Sequence, residues 1–344
     1  MHKLVKQVRS GWRYDSQGKP HCSSCVAGDI AELIRWAPYE LRFNELSMEV
    51  QLDGEHVTSE WMETAYVEFQ EQGLSAKKSD AYEAILQVAN QSRFNPVEQY
   101  FRRIEQDKSI KPVDLSTFAR DYFGVSGELA NEMFLAFLRG AVWRVLKPGC
   151  QFDAVLTLKG PQGIRKTSAL RGLVPDPEWF SFSSHDQLKD QTIALHRALI
   201  TELGELKYHT GKRSAGALKD LIANPRDLQR VPYGRAYQFM PRRSVLAASV
   251  NGDDFLRDTT GNRRFWVVDL PQKQHVEVID TYRIERDRDR IWKAAIAQYR
   301  SGMQPMLSAA HQGQSDKQNE GYSIENPFIS AVETRCLPEL KALS

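Results

Sequence analysis

Gly160-Pro161-Gln162-Gly163-Ile164-Arg165-Lys166-Thr167 follows an apolar stretch, Phe152 to Leu158, and opens onto a helix-compatible run from Ser168 to Leu173. Strand, glycine-bearing loop, Lys-Thr and helix is the layout of a phosphate-binding P-loop. The spacing fits G-x-x-x-x-G-K-[ST] except at one place, where Arg165 replaces the second glycine. Such a loop wraps phosphates with backbone N–H groups at the start of a helix. The segment Gly160 to Ser168 is therefore the expected nucleotide cradle. Lys166 would reach the β- and γ-phosphates, and the Thr167 hydroxyl would ligate Mg²⁺. Arg165 takes away some conformational freedom and adds a cation beside the phosphates. The competing reading is a chance Gly-Lys-Thr in a surface turn; the preceding strand weighs against it.

Composition bounds the rest. The 344 residues allow one large core or two modest ones. No segment approaches the ~18 apolar residues of a membrane span, and no long apolar run follows the basic N-terminus, so no secretory leader is expected. Four cysteines do not make a disulfide framework, and a reducing cytoplasm is the simplest setting. The net charge is only +2, but it is unevenly spread. Residues 29–73 hold eleven acidic and two basic side chains, and residues 207–264 hold twelve basic and five acidic ones. A basic block in an otherwise balanced chain suggests a polyanion partner, although a solvated, salt-bridged surface gives the same pattern.

Residues 1–28 read as loosely ordered. His21-Cys22-Ser23-Ser24-Cys25 resembles half a zinc site, but a zinc site needs about four ligands, and no second C-x-x-C or H-x₃-H exists. No zinc is expected. Residues 29–150 read as a mainly helical domain. Apolar residues recur at helical spacing over Ser59–Gln72 and Ser79–Ser92, with Ser79 a candidate cap. Another helix begins at Asn95-Pro96, with Val97, Tyr100, Phe101 and Ile104 on one face. The longest runs from Leu129 to Leu146 and stops at Pro148-Gly149. A short hairpin is expected within Trp36–Leu52.

From 151 onward strand and helix signals alternate, with strands expected at 153–158, 197–203, 244–250 and 264–269. Alternation implies an α/β sheet with helices on its faces, and sites in such sheets lie at the carboxyl ends of the strands. In P-loop ATPases the strand beside the P-loop strand ends in carboxylates, one holding Mg²⁺ largely through water and one polarising the attacking water. Glu202 and Glu205 are the acids placed for both jobs. Asn251 follows another strong strand and could touch the γ-phosphate, although Asn-Gly is also a turn dipeptide. Arg263 and Arg264 precede the last strand, where an arginine could stabilise charge on a transferred phosphoryl group or simply stack on Trp266.

Between Glu205 and Asn251 a short helix around Leu218–Ile222 leads into an apparent hairpin over 224–240. Lys219, Arg226, Arg230, Tyr233 and Arg235 sit in this stretch. Cations interleaved with aromatics suit a nucleic-acid strand; a structural hairpin with solvated arginines is the alternative.

Together these motifs resemble the virulence-associated protein E family: phage-, plasmid- and island-encoded P-loop ATPases similar to superfamily-three helicases of the AAA+ class. The resemblance rests on Leu146 to Asp153 (LKPGCQFD), GPQGIRKT, ITELGEL, VPYGR, FLRDTTGNRRFW, Arg286 to Trp292 (RDRDRIW), Ala294 to Gly302 (AAIAQYRSG) and Asn90 to Tyr100 (NQSRFNPVEQY). It spans about residues 40–335. It implies an AAA+-like ATPase core over 151–303 and an ATP- and Mg²⁺-dependent DNA helicase, translocase or replication initiator of a mobile element. Its DNA would be single-stranded or forked, its assembly a homo-oligomeric ring, hexameric by preference, and a separate primase or replication protein a possible partner. By the same resemblance Lys166 and Thr167 bind nucleotide and Mg²⁺, Glu202 and Glu205 form the acidic motif, Asn251 is the sensor, Arg263 or Arg264 the finger, and 224–240 the DNA-engaging hairpin. Residues 284–302 form helical packing beyond the core, and 304–344, with a polar linker over Gln312–Gly321, forms a flexible tail. A nucleic-acid-binding module with a structural nucleotide site, and a small-molecule phosphotransferase, are the alternatives.

Overall fold

The computed structural model describes residues 13–14, 16, 20–183, 195–204, 215–230, 237–252, 255–256, 262–271 and 279–322. The chain divides into two compact units, one of residues 1–99 with 231–236 and one of residues 100–230 with 237–344.

The first unit is built on two small sheets. Strands β1 (Arg13–Tyr14), β2 (Pro20–Cys25) and β6 (Leu74–Ala76) form one, in the order β1-β2-β6. Strands β3 (Leu41–Asn44), β4 (Glu49–Leu52), β5 (Glu55–His56) and β7 (Arg93–Phe94) form the other, in the order β5-β4-β3-β7. The hairpin expected within Trp36–Leu52 is the antiparallel β3–β4 pair, Leu41 opposite Leu52. Helix α1 (Ala27–Trp36) buries Ile30, Ala31, Leu33 and Ile34 at i, i+3 and i+4 spacing. It packs on α3 (Lys78–Gln91), which also meets α2 (Ser59–Glu71). Thr58 caps α2 by accepting from the Trp61 N–H. Ser79, the expected cap of α3, lies inside its first turn instead, and Lys77 holds the cap position. The stretch expected to be mainly helical thus also carries sheet. Its strands are only two to four residues long, too short for an alternating pattern to register against neighbouring helices.

Helix α4 (Pro96–Gln106) starts as expected, with Pro96 as its first residue and the Asn95 side chain accepting from the Val97 and Glu98 N–H groups. Val97, Tyr100, Phe101 and Ile104 are all buried.

The second unit is a five-stranded parallel sheet flanked by helices. Its strands are β8 (Val155–Lys159), β9 (Phe180–Ser183), β10 (Ile200–Leu203), β13 (Val245–Val250) and β14 (Phe265–Asp269), in the order β14-β8-β13-β10-β9, every pair parallel. All five residues of β8 are buried, and a strand covered on both faces reads as an uninterrupted apolar run. The four strands expected here exist, and β9 is added at the edge. Helix α6 (Glu128–Leu146) packs across β8, β13 and β14, and α7 (Lys166–Gly172) follows β8 and packs on β10 and β13. Helix α5 (Phe118–Phe123) packs on α6, its Phe123 ring stacked on Phe134 at 4.2 Å. Helix α8 (Ala215–Ala223) leads into a two-stranded ribbon, β11 (Arg226–Arg230) with β12 (Tyr237–Pro241).

Helix α9 (Thr281–Arg300) covers the expected 284–302 except its last two residues, which turn out of the helix, and fixes the exit of α7. Its Trp292 indole N–H donates to the Leu173 carbonyl at 2.7 Å, and Arg288 donates to Val174 at 2.8 Å. Such bonds satisfy carbonyls that a helix end leaves without partners. The polar stretch Gln312–Gly321 departs from expectation. Most of it lies in helix α10 (Ala309–Glu320), with Ser308 as its cap. Asn319 donates to the Asn262 and Phe265 carbonyls at 2.8 Å, and Gln318 to Val267. The helix docks by amide hydrogen bonds rather than by an apolar stripe, which is why its sequence reads as a linker. Residues 323–344 of the expected tail lie outside the described residues. No described helix is long and apolar enough to cross a membrane.

Candidate functional site: a cluster at the carboxyl ends of the strands

The loop between β8 and α7 makes its tight path with two residues at positive φ, Gly163 at 89° and Arg165 at 66°. Arg165 therefore adopts the left-handed conformation that glycine takes most easily, at the motif's glycine position. The loop is tied back to the sheet by the Gly160 N–H, which donates to the Val250 carbonyl at 3.1 Å. Pro161, Gln162, Ile164 and Ser168 complete the turn between these anchors and the first turn of α7.

Lys166 is buried, and its ammonium makes three bonds, to the Gly160 carbonyl at 2.7 Å, the Pro161 carbonyl at 2.8 Å and Asn251 Oδ1 at 2.8 Å. That uses its full complement of donors. Burial lowers its pKa, and the nearby Glu202 charge works against the shift. Glu202 is fully buried at the end of β10. Its Oε1 accepts from the Thr167 hydroxyl at 2.9 Å and from the Ser249 hydroxyl, while Oε2 has no hydrogen-bond partner. Burial raises its pKa, and those two hydroxyl bonds pull it back in part. Lys166, Thr167, Glu202 and Asn251, expected from three separate segments, thus form one connected cluster.

The sheet corrects one detail of how they meet. The acidic strand was expected directly beside the strand that enters the loop. Instead β13 stands between β8 and β10. That insertion brings Asn251 to the Lys166 ammonium, and it adds Ser249, two residues before Asn251 on β13. No local signal singled out Ser249; only the order of strands makes it a neighbour of Glu202.

Gly204 follows β10 because an edge-strand ring lies against it. A Cβ there would come within 2.3 Å of the Phe182 ring. Glu205 lies outside the described residues, as do Tyr233 and Arg235. The two candidate arginines separate. Arg264 is half-buried and faces the Asp153 carboxylate at 3.9 Å, whereas Arg263 is exposed. Beside the loop a cavity of about 240 Å³ is lined by Phe123, Ile164, Leu270, Pro271, Ile279 and Arg283 among others. The Ile279 N–H donates to the Ile164 carbonyl at 3.3 Å, so one wall is joined to the loop itself.

The β11–β12 ribbon is anchored by a buried ionic group. Arg242 donates to both Asp227 carboxylate oxygens, at 2.6 and 2.8 Å, and His196 Nε2 lies 3.0 Å from Oδ2. Desolvation alone would raise the Asp227 pKa, but the bonds from Arg242 and His196 outweigh it and bring it down to about 2. Arg226 is exposed in β11, Arg230 closes the ribbon opposite Tyr237, and Lys219 sits half-buried on α8.

A parallel α/β sheet that gathers Lys, Thr, Glu and Asn at one end fits a P-loop-like fold. A family model described as the virulence-associated protein E-like domain matches residues 104–324. That is more than half of the chain, and the chain belongs to this family. The match is narrower than the span of about 40–335 read from motifs. No curated protein matches the chain. Among solved structures, the chain is similar to the apo C-terminal region of NrS-1, at 13% identity and TM-score 0.52, covering 90% of this chain and 78% of that one. A second apo form of that region gives 12% identity, TM-score 0.50, and 84% and 73% coverage. At such identities the likeness concerns the fold.

Among the described residues no group of three His, Cys, Asp or Glu side chains could hold a metal. The oxygen donors around Glu202 nonetheless suit one cation. Mg²⁺ favours hard oxygen ligands and is commonly held by one or two carboxylates, waters and substrate phosphates. The orphaned Glu202 Oε2, buried beside two hydroxyls, fits that demand.

Proposed function

We propose that this protein is an ATP-dependent DNA translocase, helicase or replication initiator of a mobile genetic element, built on an AAA+-like core related to superfamily-three helicases. The observation that carries the reading is the meeting of Lys166, Thr167, Glu202 and Asn251 at one end of the parallel sheet. Gly160 to Ser168 would cradle the phosphates. Lys166 would exchange its bonds to the loop carbonyls for phosphate oxygens while staying near Asn251. Thr167 and Glu202, with Ser249 behind them, would hold Mg²⁺, which when bound supplies neutralising charge between the phosphates. The cavity beside Ile164, walled by Phe123, Leu270 and Ile279 and edged by Arg120, Asp121, Asp280 and Arg283, would offer room for the base.

Glu202 would be taken up in holding Mg²⁺ with Thr167, so the task of polarising water falls to Glu205. Arg264 is engaged with Asp153 inside its own chain. Arg263 is therefore the residue left to reach a neighbour's phosphates in a homo-oligomeric, six-membered ring. Lys219, Arg226, Arg230, Tyr233 and Arg235 would engage single-stranded or forked DNA, with a separate primase or replication protein as a further partner.

The test is ATP hydrolysis with and without single-stranded DNA, measured across protein concentration. Turnover should be stimulated by DNA and should rise per molecule with concentration. Lys166→Ala should abolish it with the fold retained. Arg263→Ala should lower it by about 10³-fold, and mixing that variant with Lys166→Ala should restore part of the activity. Absence of turnover in the wild type, with DNA binding intact, would overturn the enzyme reading in favour of a DNA-binding module.

A further inference from the structure

The β11–β12 ribbon has two unlike faces. In register, Arg226 stands opposite Pro241, Leu228 opposite Phe239 and Arg230 opposite Tyr237. Side chains alternate between faces along each strand. One face buries Asp227 and Gln229, and Asp227 is held there by Arg242 and His196. The other presents Leu228, Tyr237 and Phe239, which are 56%, 69% and 63% exposed. The Arg226 guanidinium lies 4.8 Å from the centre of the Phe239 ring.

Large apolar side chains grouped on one surface mark an interaction site more often than chance exposure. The chemistry of the group narrows its occupant. Asp227, the one acidic residue in the two strands, faces the other way, so this face carries cation and ring without a carboxylate. Tyr237 and Phe239 are two positions apart on one strand, about 6.6 Å, far enough for each ring to take its own base. We propose that this face is a stacking platform for single-stranded nucleic acid, with Tyr237 and Phe239 receiving bases and Arg226, one step beyond Phe239 along the ribbon, meeting the phosphate on that side. It rests on the DNA-binding reading above, keeps Arg226 from that set, and adds Tyr237 and Phe239 on the exposed side of the strands, which the reading by charge did not single out.

The experiment titrates a fluorescently labelled oligothymidylate with the full chain and follows anisotropy over a range of salt concentrations. Tyr237→Ala and Phe239→Ala should each weaken binding by about 5- to 100-fold, the range for a lost base–aromatic stack, and leave the salt slope unchanged. Arg226→Ala should make the slope shallower by about 0.7, the loss of one phosphate contact on a single strand. ATP hydrolysis without DNA should stay at the wild-type level in both aromatic variants.

Four results would overturn the proposal. Unchanged affinity in both aromatic variants, at wild-type Tm, would show that no base stacks there. Unchanged affinity with a shift in oligomeric state by light scattering would assign the face to a second copy of the chain. Weakened binding in Arg235→Ala alone would return the contact to the cations read from the sequence and leave the DNA reading standing. If the wild type binds no oligonucleotide even at low salt, the DNA reading fails and takes this proposal with it.

Discussion

Glu202 and Asp227 are both buried carboxylates in the second unit, yet their surroundings push them in opposite directions. Asp227 receives a two-pronged arginine and a histidine, and its pKa falls to about 2. Glu202 receives only hydroxyls, keeps one oxygen without a partner, and its pKa rises. A buried charge is tolerated when it is fully paired and is costly when it is not. Asp227 is thus finished as a structural element, closing the base of the ribbon. Glu202 is unfinished, and a residue whose environment resists its charge is a functional candidate with a physical rationale.

The largest expected effect breaks the finished side. Asp227→Asn would leave Arg242 as a buried cation without a counter-charge. Breaking such a pair costs about 3–5 kcal/mol, so thermal unfolding should move down by on the order of 10 °C. A change of less than a few degrees would show that Arg242 finds another partner and that the pair is not what anchors the ribbon.

The same pair sets an acid limit. The Asp227 pKa in the fold lies below its ordinary value of 3.8. Its stabilising contribution is therefore complete above that value and is lost as pH falls toward about 2. The loss should approach 2 kcal/mol, read as the part of the acid-induced fall in Tm that is missing in Asp227→Asn.

Glu202→Gln tests the unfinished side, and the sign is opposite. A carboxyl whose pKa is raised in the fold supports folding when protonated and loses that support as pH rises through its shifted value. Glutamine has no charge to desolvate. The variant should equal the wild type in Tm at low pH and exceed it near neutrality, while ATP hydrolysis disappears. A variant less stable than the wild type at neutral pH would mean that Glu202 is already satisfied in the free protein. Because a metal binds the ionised carboxylate, Mg²⁺-dependent nucleotide binding should strengthen as pH rises through the raised Glu202 pKa.

This contrast also separates what the sequence discloses from what it withholds. Lys166 and Thr167 carry a local motif, and Glu202 and Asn251 each follow a short apolar strand, so the rule that sites lie at strand ends finds them one by one. Ser249 carries no such mark. Its place beside Glu202 depends on β13 lying between β8 and β10, a matter of pairing between segments far apart in the chain, Val245 with Ile200 and Leu246 with Val155. The Asp227–Arg242–His196 group is hidden for the same reason. Strand β9, Phe-Ser-Phe-Ser, is an edge strand too short and polar to stand out. Helix α10 docks by Asn319 and Gln318, and a search for apolar spacing passes over it.

Arg165 gives the smallest effect and the finest test of the same cluster. A left-handed backbone costs a non-glycine residue roughly 1 kcal/mol. Arg165→Gly removes that strain but loosens the unfolded chain, which costs about 0.4–1 kcal/mol in return. The two nearly cancel, so the Tm should move by no more than about 2 °C. Arg165→Val should be clearly less stable than either, because a β-branched residue fits φ 66° poorly. Function separates the variants on another axis. If the guanidinium meets phosphate, Arg165→Gly should weaken ATP binding several-fold, since an exposed charge pair is worth up to about 1 kcal/mol. Unaltered ATP affinity with unaltered Tm would make the side chain a bystander and leave the backbone path as the only property of position 165 that the loop requires.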